Sequence, residues 1–89
     1  PDTTAPFVEF VEILSNPITT LLTLRFNLSS TQNAEILIYD ITGKLIYVEN
    51  KTVEIERIYI DFSVFQAGSY IVKASTSTVQ STFKIVKLE

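Results

Sequence analysis

From residue 22 to residue 28 the chain alternates without exception, with Leu22, Leu24, Phe26 and Leu28 on one parity and Thr23, Arg25 and Asn27 on the other. A period of two marks a strand with one face buried and one in water. Residues 7–14 are less regular: Phe7, Val8, Phe10, Val11, Ile13 and Leu14 surround Glu9 and Glu12, which fall on opposite sides, so this first strand reads as an edge. Residues 36–39 and 45–48 are apolar on both parities, and the Asp40-Ile41-Thr42-Gly43 stretch between them makes the pair a β-hairpin. Gly43, just before the return strand, predicts a positive φ, where a side chain costs about 1 kcal/mol or more, and Asp40 is placed to accept from amides across the turn. Strands apolar on both faces suit the centre of a sheet whose outer side is itself covered by a neighbouring domain, a loop or a partner.

Residues 53–62 come next. Ile58, Ile60 and Phe62 share one parity, but so do Glu54 and Glu56, which predicts an exposed beginning or a bulge. Phe65, in the 63–68 turn, is expected to plug the end of the core. Tyr70, Val72 and Ala74 then face inward on a sixth strand, and Phe83 and Ile85 on a last strand over 79–88. Polar connections at 29–33, 50–52 and 75–78 separate these runs, and Ser15-Asn16-Pro17 breaks the first, because proline has no amide donor. Short strands, turns about every eight to twelve residues and no helical period predict an all-β domain, a seven-stranded antiparallel immunoglobulin-like β-sandwich. Residues 1–6, with Pro1 and Pro6, read as a linker and residues 7–89 as the domain. The lack of an initiator Met or a signal peptide at Pro1 suggests a segment of a longer protein.

Composition narrows the chemistry. The 89 residues include no Cys, His, Met or Trp. Thiol nucleophiles, disulfides, histidine bases, Ser-His-Asp triads and nitrogen- or sulfur-ligated zinc are therefore outside what this chain can build. Carboxylates are the remaining acid-base candidates, and Glu54 and Glu56 read as a solvated strand face rather than the facing pair a glycosidase needs. Asp40, Thr42 and Gly43 lack the alternating oxygen ligands of a calcium loop and read as a turn. No catalytic residue, metal or cofactor is expected, and the chain does not read as an enzyme. A net charge of −3 argues against nucleic acid. Tyr39, Tyr47 and Tyr59 would form a sugar-binding platform if one sheet exposed all three, though ordinary strand packing is the simpler account. Lys73, Lys84 and Lys87 read as a solvated basic set.

Four short segments, taken in order, carry a resemblance: Ser15-Asn16-Pro17, Ile38-Tyr39-Asp40 through Gly43-Lys44-Leu45, Phe65-Gln66-Ala67-Gly68-Ser69-Tyr70, and Thr82-Phe83-Lys84-Ile85-Val86-Lys87. Together they resemble the C-terminal sorting domain, type A, of cargo proteins of the type IX (Por) secretion system of Bacteroidetes. Asn16 and Pro17 match the first motif, Asp40 and Gly43 the second, Gly68 and Tyr70 the third, and Lys84 and Lys87 the last. Ser15 stands where the family commonly has a second proline, and Phe65 and Ser69 vary the third motif. The resemblance implies a delivery signal attached to an N-terminal cargo domain. It also implies an outer-membrane translocon and a sortase-like cysteine protease that cuts upstream as partners, passage through the periplasm, and an end point at the outer membrane surface or outside the cell. The domain itself is expected to be monomeric. The last strand is the preferred contact, since a terminal strand at a sheet edge offers unpaired backbone groups to a partner. The rival readings are a carbohydrate-binding or spacer β-sandwich module of a secreted multidomain protein.

Overall fold

A computed structural model describes residues 7–89, and the linker expected at 1–6 lies outside them. Five strands follow one another: β1 (Phe10–Ile13), β2 (Leu21–Asp40), β3 (Leu45–Asp61), β4 (Gly68–Ser75) and β5 (Gln80–Lys87). They form one antiparallel sheet of order β1-β2-β4-β5, with β3 on β2 as well. The long strand β2 changes neighbours along its length. Its first half lies between β1 and β3, and its second half, from Glu35 to Asp40, between β3 and β4.

The architecture is all-β and antiparallel as expected, but the seven strands are five. Residues 29–33 and 50–52 do not interrupt the sheet; they continue β2 and β3, which pair through both stretches. Backbone pairing requires only an N–H and a C=O in register, so it continues through residues such as Asn33, Asn50 and Lys51 whose own strand propensity is low. Ser29, Ser30, Thr31, Asn50, Lys51 and Thr52 are all exposed.

Those stretches hold an irregularity instead of a loop. Asn27 pairs with Ile55 and Gln32 with Val53, so Leu28, Ser29, Ser30 and Thr31 stand opposite Glu54 alone. The surplus on β2 is odd, so the buried parity of β3 flips across it, from Ile58 and Ile60 to Val53. Glu54 falls inside the irregular stretch and is exposed, whereas Glu56, still paired with buried Phe26, sits at the margin of the core, only partly exposed, with its carboxylate 3.6 Å from the Lys51 ammonium. Side-chain bonds hold the irregular stretch. The Glu9 carboxylate accepts from the Ser29 amide at 2.8 Å, the Ser29 hydroxyl at 2.9 Å and the Gln32 amide at 3.3 Å. Gln32 in turn accepts from the hydroxyls of Ser77 and Thr78, at 2.9 and 3.0 Å, tying the bend to the β4–β5 turn.

One hydrophobic core runs through both halves. On β2 the buried residues are Leu22, Leu24, Phe26, Leu28, Ala34, Ile36 and Ile38, all of one parity, and Val11, Val72, Ala74 and Ile85 join the same cluster from the other strands. No polar or charged side chain is buried among the described residues. The expected inward residues of the last two strands are therefore where the alternation put them, with Phe83 packed at the margin.

Candidate functional site

The hairpin turn is built by Asp40. Its Oδ1 accepts from the Thr42 amide at 2.9 Å, the Thr42 hydroxyl at 2.6 Å and the Lys44 amide at 3.0 Å. Its backbone carbonyl accepts from the Gly43 amide at 3.0 Å, and its own amide donates to the Lys44 carbonyl at 2.9 Å. The Thr42 hydroxyl and the Lys44 amide, with a smaller contribution from the Lys44 charge, hold the Asp40 carboxyl below its usual range. Gly43 has φ +89°, with nothing near the position a Cβ would take, so the demand for glycine comes from the backbone alone.

Gly68 opens β4 with φ +152°, a conformation that side-chain-bearing residues rarely adopt. Two residues later Tyr70 is buried, and its hydroxyl donates back to the Gln66 carbonyl. A buried tyrosine ring with its polar end returned to the upstream backbone locks the loop onto the strand, much as a tyrosine corner does. Phe62 packs edge-on against Phe65 at 4.9 Å and against Tyr70 at 5.4 Å, so Phe65 does close the end of the core. The loop and the hairpin turn together line an open cleft of about 360 Å³ that includes Asp40, Ile41, Val64, Phe65, Gly68 and Tyr70.

The first and last segments are joined more directly. The Asn16 side-chain amide donates to the Lys84 carbonyl at 3.1 Å, and its oxygen accepts from the Val86 amide at 3.0 Å. The side chain thus imitates a peptide unit at the edge of β5. Ile18 extends the contact: its amide donates to the Val86 carbonyl at 2.9 Å, and its carbonyl accepts from the Leu88 amide at 2.7 Å, a parallel bridge. The Asn16–Pro17 peptide is cis.

The register brings all four segments to one end of the sheet. Asp40 pairs with Tyr70 and Tyr70 with Ile85; one row over, Tyr39 pairs with Ile71 and Ile71 with Lys84, whose carbonyl Asn16 holds. Of the eight residues singled out from the sequence, Asp40, Gly43, Gly68, Tyr70 and Asn16 have visible work in turns, loop and strap. Pro17 is exposed beside Asn16, Lys84 is exposed with its backbone engaged, and Lys87 is half-buried opposite Gly68. Sequence reasoning passed over Ile18, which is only 3% exposed; its signal was a single apolar residue in a run of Ser, Asn, Pro and Thr.

Two expectations change. The edge of β5 is not wholly open, since Asn16 and Ile18 occupy it from Lys84 to Leu88, leaving the outward groups near Gln80 and Thr82 free of backbone partners among the described residues. The tyrosines do not make a platform. Tyr39 pairs with Leu45, whereas Tyr47 pairs with buried Ile38 and packs against the core, and Tyr59 stands beside Thr23 in the other half of the sheet. Burial, and then a 2.6 Å bond from its hydroxyl to Glu49, push the Tyr47 phenol up to about 12.

Among the described residues no cluster of acidic side chains could hold a metal ion, and the side chains of Asn16, Asp40 and Tyr70 hold backbone in place rather than converge on a reacting atom. What the geometry defines is an antiparallel β domain whose distinctive residues all serve one end of its sheet. The family comparison agrees with that picture: the model for the secretion system C-terminal sorting domain of the Por system matches residues 12–88, and the chain belongs to that family. It is a family of sorting signals, not of enzymes. Among solved structures, the chain is similar to part of dimeric latent PorU from Porphyromonas gingivalis, with a TM-score of 0.67 and 22% identity, covering 99% of this chain and 10% of that one. That likeness concerns the fold. No curated protein matches the chain in sequence.

Proposed function

We infer that this chain is the signal that takes an attached, N-terminal cargo protein through the type IX outer-membrane translocon, and that a sortase-like cysteine protease then removes it by cutting upstream. The observation that carries the reading is the family match over residues 12–88. Route and destination belong to the same reading: the periplasm in transit, then the outer membrane surface or the medium. The arrangement of β1 and Ile18 also supports an immunoglobulin-like reading. One segment pairs with β2 antiparallel and then, past Asn16 and Pro17, with β5 in parallel, so it bridges two parts of a sheet that is folded on itself. Asn16, Pro17, Asp40, Gly43, Gly68, Tyr70, Lys84 and Lys87 are then the residues that give the translocon a constant end of the domain to read. The sugar-binding alternative has little support once the three tyrosines are apart.

The test fuses residues 7–89 behind a signal peptide and a reporter in a host with type IX machinery. The reporter should reach the surface, and Lys84→Gln with Lys87→Gln should lower delivery; exposed Lys84 should change stability by only about 0.5 kcal/mol, and the unfolding midpoint of the double variant checks that half-buried Lys87 has not cost the fold. Equal delivery of a reporter without the domain, or none with it, rejects the reading.

A further inference from the structure

The two halves of the sheet present different outer faces. Around the hairpin the register gives two cross-strand rows on the side away from the core: Leu45, Tyr39, Ile71 and Lys84 in one, and Val48, Leu37, Lys73 and Thr82 in the next. Leu45 and Val48 are 45% and 50% exposed, and Leu37, Tyr39 and Ile71 are only partly covered. The Lys73 ammonium sits 5.3 Å over the Tyr39 ring. A shallow cleft of about 350 Å³, lined by Tyr39, Ile41, Gly43, Ile71 and Lys73 with Asp40, opens on this face.

We propose that this face, with Leu37, Tyr39, Val48 and Ile71 bordered by Lys73 and Lys84, is a docking surface for an extended segment of a partner protein that carries apolar side chains and carboxylates. The apolar block alone would not identify an occupant; the charges do. Both ionic groups within the two rows are lysines. The nearest carboxylate, Asp40, is already engaged by two backbone amides and a hydroxyl of its own turn. Glu35 lies a row beyond, opposite Ser75. The face is thus locally cationic on a chain of net charge −3, and an anionic partner is complementary to it. A second copy of the same face is disfavoured, since face-to-face packing sets lysines against lysines in an apolar contact. From β3 to β5 the face spans three strand spacings, roughly 14 Å, which about five extended residues cross. That is the size of a peptide contact rather than of a stable domain interface. The cleft beside Tyr39 takes one apolar anchor, while carboxylates reach Lys73 and Lys84.

The test is a titration of the isotopically labelled 89-residue chain, followed by amide and methyl chemical shifts, with two synthetic ten-residue peptides in which Leu and Val alternate with Glu or with Lys. The glutamate peptide should shift Leu37, Tyr39, Val48 and Ile71. Lys73→Glu combined with Lys84→Glu should weaken it at least tenfold and favour the lysine peptide, with the thermal midpoint reporting an intact fold. Equal binding of both peptides, shifts centred on Arg25 and Arg57, or an affinity unchanged by the charge reversal overturns the proposal. Shifts of the same residues on simple concentration would assign the face to a second copy, and a response to anionic phospholipid vesicles without one to either peptide would assign it to a lipid surface; both overturn it. The measurement needs no secretion machinery, so its failure leaves the sorting assay to stand or fall separately.

Discussion

The two halves of the β2–β3 hairpin share a core and differ in almost everything outside it. In the first half the outer rows mix charged and apolar residues: Glu12, Arg25 and Arg57 lie side by side between rows that carry exposed Ile55 and Tyr59, with a 2.6 Å bond between Arg25 and Glu12 and the Arg25 guanidinium over the Phe10 ring. Here one carboxylate answers one of the two arginines, in solvent, where such a pair contributes roughly 0–1 kcal/mol. In the second half the outer rows are apolar with lysines at one side, and the charges have no carboxylate partner in the same rows. A strand that buries one face needs only the alternation seen from Leu22 to Leu28. A strand apolar on both faces leaves its second side to be covered by something else, and here Leu37, Tyr39 and Ile71 are only partly covered and Val48 is exposed.

The comparison breaks most easily in the core. Leu24 and Ile38 are both fully buried, one in each half. If the halves fold as one unit, Leu24→Ala and Ile38→Ala should each cost about 2–5 kcal/mol and shift a single urea transition, read by circular dichroism. Two separate transitions in either variant would show that the register break at Leu28–Thr31 uncouples the halves. Leu37→Ala, one residue from Ile38 but on the outer face, should cost distinctly less, because its side chain is only partly removed from water.

A smaller effect is expected at the turn that ends the second half. Gly43→Val should destabilise by about 1 kcal/mol or more through its positive φ. Because no atom lies where the new Cβ would go, the loss should appear in the unfolding midpoint and leave the chemical shifts of the first half unchanged.

Acidification should have the smallest effect and should touch both halves. Among the described residues three carboxylates are held below their usual range: Asp40 by the Thr42 hydroxyl and Lys44 amide, Asp61 by the Ser63 amide, and Glu9 chiefly by the Ser29 amide. A lowered folded-state pKa adds stability above the ordinary carboxylate range and loses it as pH falls through the lowered value. The urea midpoint should therefore be level near neutrality and fall below about pH 4. Asp40→Asn should flatten that fall, since the amide oxygen still accepts the turn's bonds without titrating; an unchanged pH profile would remove Asp40 from the acid response.

The sequence by itself determined much of the core, though not Ile18 or Val53. Leu22 to Leu28, Ile58 to Phe62, Tyr70 to Ala74 and Ile85 follow from alternation, because a pleated strand must put every second side chain on one side. It also determined the Asp40–Gly43 turn, whose chemistry is contained within five residues. The order of the four motifs was visible too, and so was the family they resemble. Only the tertiary structure decided that polar residues 29–33 and 50–52 are strand, because local propensity is weak there and pairing with a partner supplies the bonds. Nor does any local pattern reveal that Asn16 and Ile18 close half of the β5 edge, a contact across about seventy residues of chain. The separation of Tyr39, Tyr47 and Tyr59 depends likewise on an odd register shift, which is a relation between two strands and has no counterpart in either one alone.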